Sequence, residues 1–348
     1  MAQRVLVTGG TGLIGGEVIL ALARAGVRVT AVTRGGSQAI ASQRLRDRLQ
    51  KSQWFSPELL GQVEVLAGDT TLPGFGLTPP LEIPPDCIVH CAANTQFSDR
   101  EEDDVWRTNV GGAEHLVAFA RAHAPRARVV FVSTASVTTG PEGAVVNEDT
   151  AFQGYENAYT RSKRQAEAIV TASGLDTVIL RPAIVLSRGI DDAAMARSIL
   201  WAVPIMRELG EVPVSPDSHI DIVPVDYTAQ CIADVALAPS LPHRLYHISA
   251  GTTSQSFKQL LDAVAAECPE FKGIAPVGRK PLSKRAMARL MRPLENYLPF
   301  MNADIRYAND RLLGDFTAIG IPALATSYVP SLVALISLAD ALTEMVRP

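Results

Sequence analysis

The sequence predicts an α/β chain, a doubly wound parallel sheet carrying a smaller, discontinuous, mainly helical second domain. Three observations predict it. Short β-branched runs alternate with helix-periodic stretches through the N-terminal half, the pattern that forces a parallel sheet with helices on both faces. A glycine cluster stands between the first such run and the first such stretch, in Val5-Leu-Val-Thr-Gly-Gly-Thr-Gly-Leu-Ile-Gly-Gly16. The length of 348 residues suits one large domain with a satellite.

The buried-strand candidates are Arg4–Thr8, Arg28–Val32, Gln62–Ala67, Cys87–Cys91, Arg128–Ser133 and Thr177–Leu180. Helical patterns fall between most of them, over Leu13–Ala25, Ile40–Lys51, Val105–Ala122 and Tyr159–Ser173. A helix and a last strand, Arg244–Ile248, follow Asp221–Tyr227. Residues 1–183 plus 218–250 therefore read as the sheet domain, and 184–217 plus 251–348 as the satellite, with a cleft between the lobes. In the satellite, Trp201 and Met206 lie in a basic and apolar helix pattern, broken by Pro204, Pro213 and Pro216.

Net charge is −4, which gives no overall footprint for nucleic acid. Cys87, Cys91, Cys231 and Cys268 form no Cys-x-x-Cys pair, and no histidine cluster completes a metal spacing, so buried reduced thiols and no metal are expected. The chain enters its first strand without a signal-type segment, and no apolar run reaches membrane-spanning length. A soluble cytoplasmic protein is expected. The closing Tyr328–Val346 segment is apolar but interrupted by Pro330, Asp340 and Glu344, which favours a packed helix over a membrane contact.

The glycine cluster carries a dinucleotide fingerprint of the Rossmann type, in the strand–turn–helix context it requires. Gly9 permits the tight turn, Gly12 lets backbone approach a pyrophosphate, and Gly15 lets helix and strand pack closely. Pyrophosphate would sit on the free N–H groups of the helix start. The second strand ends on Arg34, where an NAD site usually has Asp or Glu. A cation there pairs with the 2′-phosphate of NADP(H), which is the cofactor expected. Arg44 and Arg46 are candidates for a second cation, or for a solvated helix face. Asp69 suits the adenine amino group or merely caps a turn, and Ala92 and Ala93 let a cofactor lie against backbone or merely pack.

Hydroxyls at the end of the fifth strand, Ser133, Thr134 and Ser136, precede Tyr159-Thr-Arg-Ser-Lys163, which sets a phenol and an ammonium one helical turn apart. The lysine charge would lower the tyrosine pKa and make it a proton donor and acceptor. Thr134 would hold the substrate oxygen, and Lys163 the nicotinamide ribose.

At these residues the chain resembles the extended short-chain dehydrogenases/reductases. Thr8-Gly-Gly-Thr-Gly-Leu-Ile-Gly15 matches their cofactor turn, Thr134, Tyr159 and Lys163 fall on their catalytic triad, and Asn109 in Thr108-Asn-Val-Gly-Gly112 matches their asparagine motif. The resemblance covers roughly residues 1–250. It implies cofactor contacts at Gly9, Thr11, Gly12, Leu13, Ile14, Gly15, Arg34, Asp69, Thr70, Ala92, Ala93, Asn109, Tyr159, Lys163 and Pro182. The alignment puts Thr134 at the catalytic position, with Ser133 as runner-up. Ala135 and Ser136 replace the Asp-Glu pair of the family's sugar dehydratases, which disfavours dehydration.

Within that superfamily the chain is most similar to the thioester reductase and fatty acyl-CoA reductase branch. Three segments carry this: Gly68-Asp-Thr-Thr-Leu-Pro-Gly-Phe-Gly-Leu77, His90-Cys-Ala-Ala-Asn-Thr-Gln-Phe97 and His219-Ile-Asp-Ile-Val-Pro-Val-Asp-Tyr227. The branch implies NADPH-dependent reduction of an acyl thioester to an aldehyde, or on to an alcohol. The alternatives are a ketone or aldehyde reductase, a nucleotide-sugar epimerase or reductase and, in another class, a non-catalytic NADP-binding sensor. From Lys272 to Leu294 there is no acidic residue, while Arg279, Lys280, Lys284, Arg285, Arg289 and Arg292 cluster with Met287, Leu290 and Met291. That stretch reads either as a dock for an acidic acyl-carrier protein or the phosphates of CoA, or as a solvated amphipathic helix. A homodimer is the first expectation for an oligomer.

Overall fold

A computed structural model of the chain describes residues 3–78, 81–97, 99–151, 157–187, 210–267, 269–278, 302–322 and 324. The Trp201 and Met206 region, the basic segment Arg279–Arg292, the closing Tyr328–Val346 segment and Cys268 lie outside the described residues.

The alternating runs form a seven-stranded parallel sheet. Its strands are β1 (Arg4–Thr8), β2 (Arg28–Thr33), β3 (Val63–Ala67), β4 (Cys87–His90), β5 (Arg128–Val132), β6 (Thr177–Pro182) and β7 (Leu245–Ile248), in the order β7-β6-β5-β4-β1-β2-β3. The order reverses between β1 and β4, where Val5–Thr8 run in register with Cys87–His90. That reversal opens the crevice in which parallel α/β sheets bind ligands.

Alternation of side chains sends each strand's residues to both faces. Val5, Val7, Val89, Val130 and Leu180 face a core closed by α1 (Leu13–Arg24), α2 (Gln38–Leu49) and the later helix Val225–Leu237. Leu6, Ile88, Val129, Phe131 and Ile179 face the opposite core, closed by α3 (Gly112–His123) and α4 (Ala158–Thr171). Continuous burial on both faces is why these strands read as unbroken apolar runs.

The sequence pattern sets one helix over Val105–Ala122, whereas helix begins at Glu102 and a π-helical turn, Arg107–Gly111, is inserted before α3. Such an insertion turns side chains that regular 3.6-residue spacing would leave in line, and it is frequent at functional sites.

Beyond Pro182 the chain leaves the main sheet in short pairs. Ile184–Leu186 runs parallel to Ile222–Pro224, Glu211–Val212 to Ala275–Pro276, and Val145–Val146 to Arg306–Tyr307. Leu312 and Ile319, which the sequence assigns to the satellite, are buried in the main core instead. The helix Asp310–Asp315 packs its apolar side by β7 at the sheet edge, so the chain comes back to the first lobe after leaving it. No helix among the described residues is long and apolar enough to cross a membrane.

Candidate active site

At the β1–β4 crevice the glycine turn is built from backbone. Gly9 has φ +74°, and Gly12 N donates to Gly9 O at 2.9 Å. A Cβ on Gly9 would lie 2.5 Å from Ala92 N, and one on Gly15 would lie 2.3 Å from Gly9 O. Both positions exclude a side chain. The sequence reading has Gly15 clearing the strand, and its closest neighbour is the carbonyl of the turn itself. Gly12 differs, for a Cβ there would meet only Gly9 O, at 3.2 Å. It is exposed, with Thr11, Leu13 and Ile14 half-buried around it. Gly12 is the N-cap of α1, and no side chain accepts from that helix's first N–H groups. An uncapped helix start beside bare backbone fits a pyrophosphate.

Sequence reasoning missed how this turn is held. Arg48 on α2 is buried, donates to Gly12 O at 3.1 Å and Leu13 O at 2.7 Å, and pairs with buried Glu17 at 3.1 Å. Ser52 donates to the other Glu17 oxygen. Gly16 leaves room for this guanidinium, 3.0 Å from where its Cβ would stand. A charged helix residue aimed inward leaves no periodic signal, so only its fold partners reveal it.

At the end of β2, Arg34 is exposed, and Arg44 turns back to donate to the Arg34 carbonyl at 2.9 Å. The Arg44 guanidinium thus stands at this strand end, where Thr33 precedes Arg34 with its buried hydroxyl unpartnered. Oδ1 of Asp69 accepts from Thr71 N and Oγ1 at 2.9 and 2.8 Å, the turn-capping alternative. Thr70 is buried, with its carbonyl 3.1 Å from His115 Nδ1. Phe75 adopts φ +58°, fully buried and stacked on Phe119 at 4.6 Å, and its carbonyl accepts from Asp69 N. A non-glycine residue in that region is strained and persists because packing over-determines it.

Asn109 lies in the π-helical turn, and its side chain is used on the protein. Oδ1 accepts from Asn94 N at 2.8 Å, while Nδ2 donates to Asn94 O and Ser162 Oγ, each at 2.9 Å. It ties the loop carrying Ala92 and Ala93 to α4. Pro182 is buried at the end of β6.

The triad residues converge beyond β5. Thr134 is extended and caps a short 3₁₀ turn, Ala135–Val137. α4 starts where it does because Asn157 and Thr160 form a reciprocal capping box, which puts Tyr159 in the first turn and Lys163 one turn on. The Tyr159 hydroxyl hydrogen-bonds Thr134. Phe97, from the second branch segment, stacks on the Tyr159 ring at 5.6 Å. Ser133, the runner-up, is buried with its hydroxyl unpartnered.

The electrostatics depart from the sequence expectation. Burial pushes the Tyr159 phenol up to about 12, against the Thr134 hydrogen bond, which lowers it. Lys163 does not offset that burial, because its ammonium donates to Val132 O at 2.7 Å and lies 4.2 Å from the Phe131 ring centroid. Burial pulls Lys163 itself down to about 8, opposed by Glu167. Glu167, one turn further along α4, is clamped by Arg181 through two bonds of 3.0 and 2.7 Å. At neutral pH the phenol therefore holds its proton and is set up as a donor. His90, 3.0 Å from Thr8 Oγ1, is pushed down to about 3 by burial and by Lys163 and stays neutral. Burial raises Cys87 and Cys91 to about 12, so neither thiol is a nucleophile. Among the described residues no group of three or more metal-ligating side chains is placed to hold an ion.

Peramine synthetase of Metarhizium majus is 27% identical over 281 residues, 74% of this chain but 10% of that protein. Fatty acyl-CoA reductase wat of Drosophila melanogaster is 27% identical over 228 residues, 53% of this chain and 43% of that one. The chain thus spans about a tenth of the synthetase and less than half of the reductase. Among solved structures, the terminal R domain of the myxalamid PKS-NRPS pathway superposes with a TM-score of 0.77 at 20% identity, over 98% of this chain and 92% of that one. A thiolation-reductase di-domain from an archaeal non-ribosomal peptide synthetase does so with the same TM-score and identity, over 98% and 91%. At that identity the likeness shows the fold. The sequence profile of an NAD-binding family, described as male sterility protein, matches residues 7–232. With the glycine turn, the Tyr-x-x-x-Lys helix and five of the seven sheet strands inside that span, the chain belongs to the male sterility protein family of NAD-binding domains.

Proposed function

We propose that this chain reduces an acyl thioester with NADPH, releasing a thiol and an aldehyde. The observation that carries the reading is the hydrogen-bonded Thr134–Tyr159 pair, with its phenol protonated, standing beyond β5 in a chain whose glycine turn fits a dinucleotide. The uncapped start of α1 and Gly12 would hold the pyrophosphate, and Arg34 with Arg44 the 2′-phosphate. Bound there, the nicotinamide supplies a hydride. Thr134 and Tyr159 hydrogen-bond the thioester carbonyl and stabilise the oxyanion as it develops, and Tyr159 delivers its proton to that oxygen. The resulting hemithioacetal collapses: its hydroxyl proton returns to Tyr159 as the carbonyl re-forms, the C–S bond breaks, and the leaving thiolate takes a proton from water. Lys163, whose ammonium rests on Val132 O, would hold the nicotinamide ribose when the cofactor is bound. Phe97 shields one side of the phenol from water. Ala135 and Ser136 place no carboxylate after Thr134, so the acid and base of an elimination are missing there.

In this reading, residues 1–183 plus 218–250, with the helix Asp310–Asp315 packed back on them, bind the cofactor, and 184–217 plus the remainder of 251–348 the acyl group. Relatives that are synthetases or contain a thiolation domain support delivery of that group on a carrier protein, and the fatty acyl-CoA reductase supports CoA. The test is oxidation of NADPH and of NADH by purified protein against acyl-CoAs, acyl-carrier thioesters, aldehydes and nucleotide sugars, with products identified by mass spectrometry. Thioester-dependent NADPH oxidation with aldehyde formed supports the proposal, and activity confined to sugars overturns it.

A further inference from the structure

The third branch segment, His219–Tyr227, and the late strand Arg306–Tyr307 are not used by the chemistry above, yet they meet behind the reacting pair. Tyr307 is buried, 8% exposed, and packs in one small cluster with Ala135, Val146, Ala303 and Ile305. Its hydroxyl donates to Thr138 O at 3.3 Å and hydrogen-bonds the Ser136 side chain. Ser136 N in turn donates to Thr134 Oγ1 at 3.3 Å. With the Ser136 N–H held on one side of that oxygen, the Thr134 hydroxyl is kept beside Tyr159, its other partner. A three-residue 3₁₀ turn is marginal alone. Its middle residue and its C-cap are both bonded here by one phenol from far along the chain.

Tyr307 is itself anchored at every polar atom. Its N–H donates to Asp221 Oδ2 at 3.2 Å, the other Asp221 oxygen accepting from Ala250 N at 2.8 Å. Its carbonyl accepts from Ser249 Oγ at 2.7 Å, and its ring meets His247 edge-on at 5.4 Å. Asn309 donates to Ser249 O, and its amide fills the space of the absent Gly251 side chain, 2.4 Å from where a Cβ would stand.

We infer that Tyr307 is a positioning residue of the reaction, which fixes the place of the Thr134 hydroxyl beside Tyr159 through Ser136 and is held in place by Asp221. The inference takes the roles of Thr134 and Tyr159 from the proposed function. A phenylalanine at 307 keeps the ring and removes only the hydroxyl, so Tyr307→Phe tests orientation rather than packing. Steady-state reduction of an acyl thioester and of a free aldehyde would be measured for wild type, Tyr307→Phe, Ser136→Ala and the double variant. Amide hydrogen exchange over residues 133–138 would be followed without cofactor. The expected result is a fall in kcat of about 3- to 10-fold in each single variant, KM for NADPH unchanged within about twofold, and a double variant no worse than the poorer single one. Exchange at Ser136 and Thr138 speeds up in Tyr307→Phe. Unchanged kcat, additive losses, or kcat and NADPH affinity falling together would each overturn the inference. If wild type reduces the aldehyde and not the thioester, the thioester proposal fails and Tyr307 is judged on the aldehyde. If it reduces neither, the exchange rates decide, and unchanged exchange overturns it.

Discussion

The cofactor turn and the reaction corner lie at the same end of one sheet, but they are made of different material. Gly9–Gly15 is backbone, contiguous in sequence, and its specificity lies in side chains that are absent, since a Cβ at Gly9 or Gly15 has no room. The corner at Thr134 is side chains brought from the end of β5, the first turns of α4, the loop at Phe97 and the late strand at Tyr307. A site of backbone is robust to most changes and breaks by added atoms. A site of borrowed side chains breaks by lost hydroxyls, at long range, with the fold intact.

The largest effect should come from removing one oxygen at the corner. Tyr159→Phe is expected to lower kcat by about 10²- to 10⁴-fold, the usual worth of a positioned proton donor, with NADPH affinity little changed. Turnover with near-normal kcat would remove Tyr159 from the proton step. At the turn, the damaging change is an addition. Gly15→Ala drives a methyl into Gly9 O and is expected to cost about 3 kcal/mol of NADPH binding, read by fluorescence titration, while kcat at saturation suffers less. A loss of kcat without loss of affinity would erase the contrast between the two regions.

Arg34 sharpens the comparison, because there the cofactor side relies on a side chain that would touch the cofactor itself. Arg34→Ala is expected to weaken NADPH by about 2 kcal/mol and leave NADH unaffected. An unchanged NADPH affinity would reject the assignment. The pH profile of kcat/KM, which reports the free protein, should fall as pH rises through about 8, where Lys163 loses its charge. The smallest effect concerns stability. Burial raises the Asp221 carboxyl to about 7, above its ordinary 3.8, so the folded chain holds that proton more tightly than the unfolded one. Its contribution is full below pH of about 4 and is lost as pH rises to about 7. Asp221→Asn, which cannot titrate, should flatten the fall in Tm over that window by roughly 2–5 °C. A slope identical to wild type would mean that Asp221 titrates normally.

The same contrast explains what the sequence makes legible. The strands and the glycine turn depend on neighbours in the chain, so periodicity and spacing find them. Tyr159 and Lys163 are local too, one turn apart on α4, and their helix start is written in Asn157 and Thr160. What spacing cannot show is where a charge ends up. It has Lys163 acting on the phenol, whereas the structure points the ammonium at Val132 O. Nor does spacing show the π-helical turn, which ties the Asn109 amide to Asn94 and Ser162. The partners that hold the site, Arg48 with Glu17, Arg181 with Glu167 and Tyr307 with Ser136, are each joined across different elements. No local pattern marks them, and the fold alone brings them together.

The central claim is hydride delivery to a thioester carbonyl. Its most direct test is turnover of an acyl thioester with NADPH carrying deuterium at both C4 positions, the product being analysed by mass spectrometry. One deuterium on the aldehyde carbon, or two on the carbinol carbon if reduction continues, is the predicted result, with the signal abolished in Tyr159→Phe. Product without deuterium, or no product while nucleotide sugars are consumed, would contradict it.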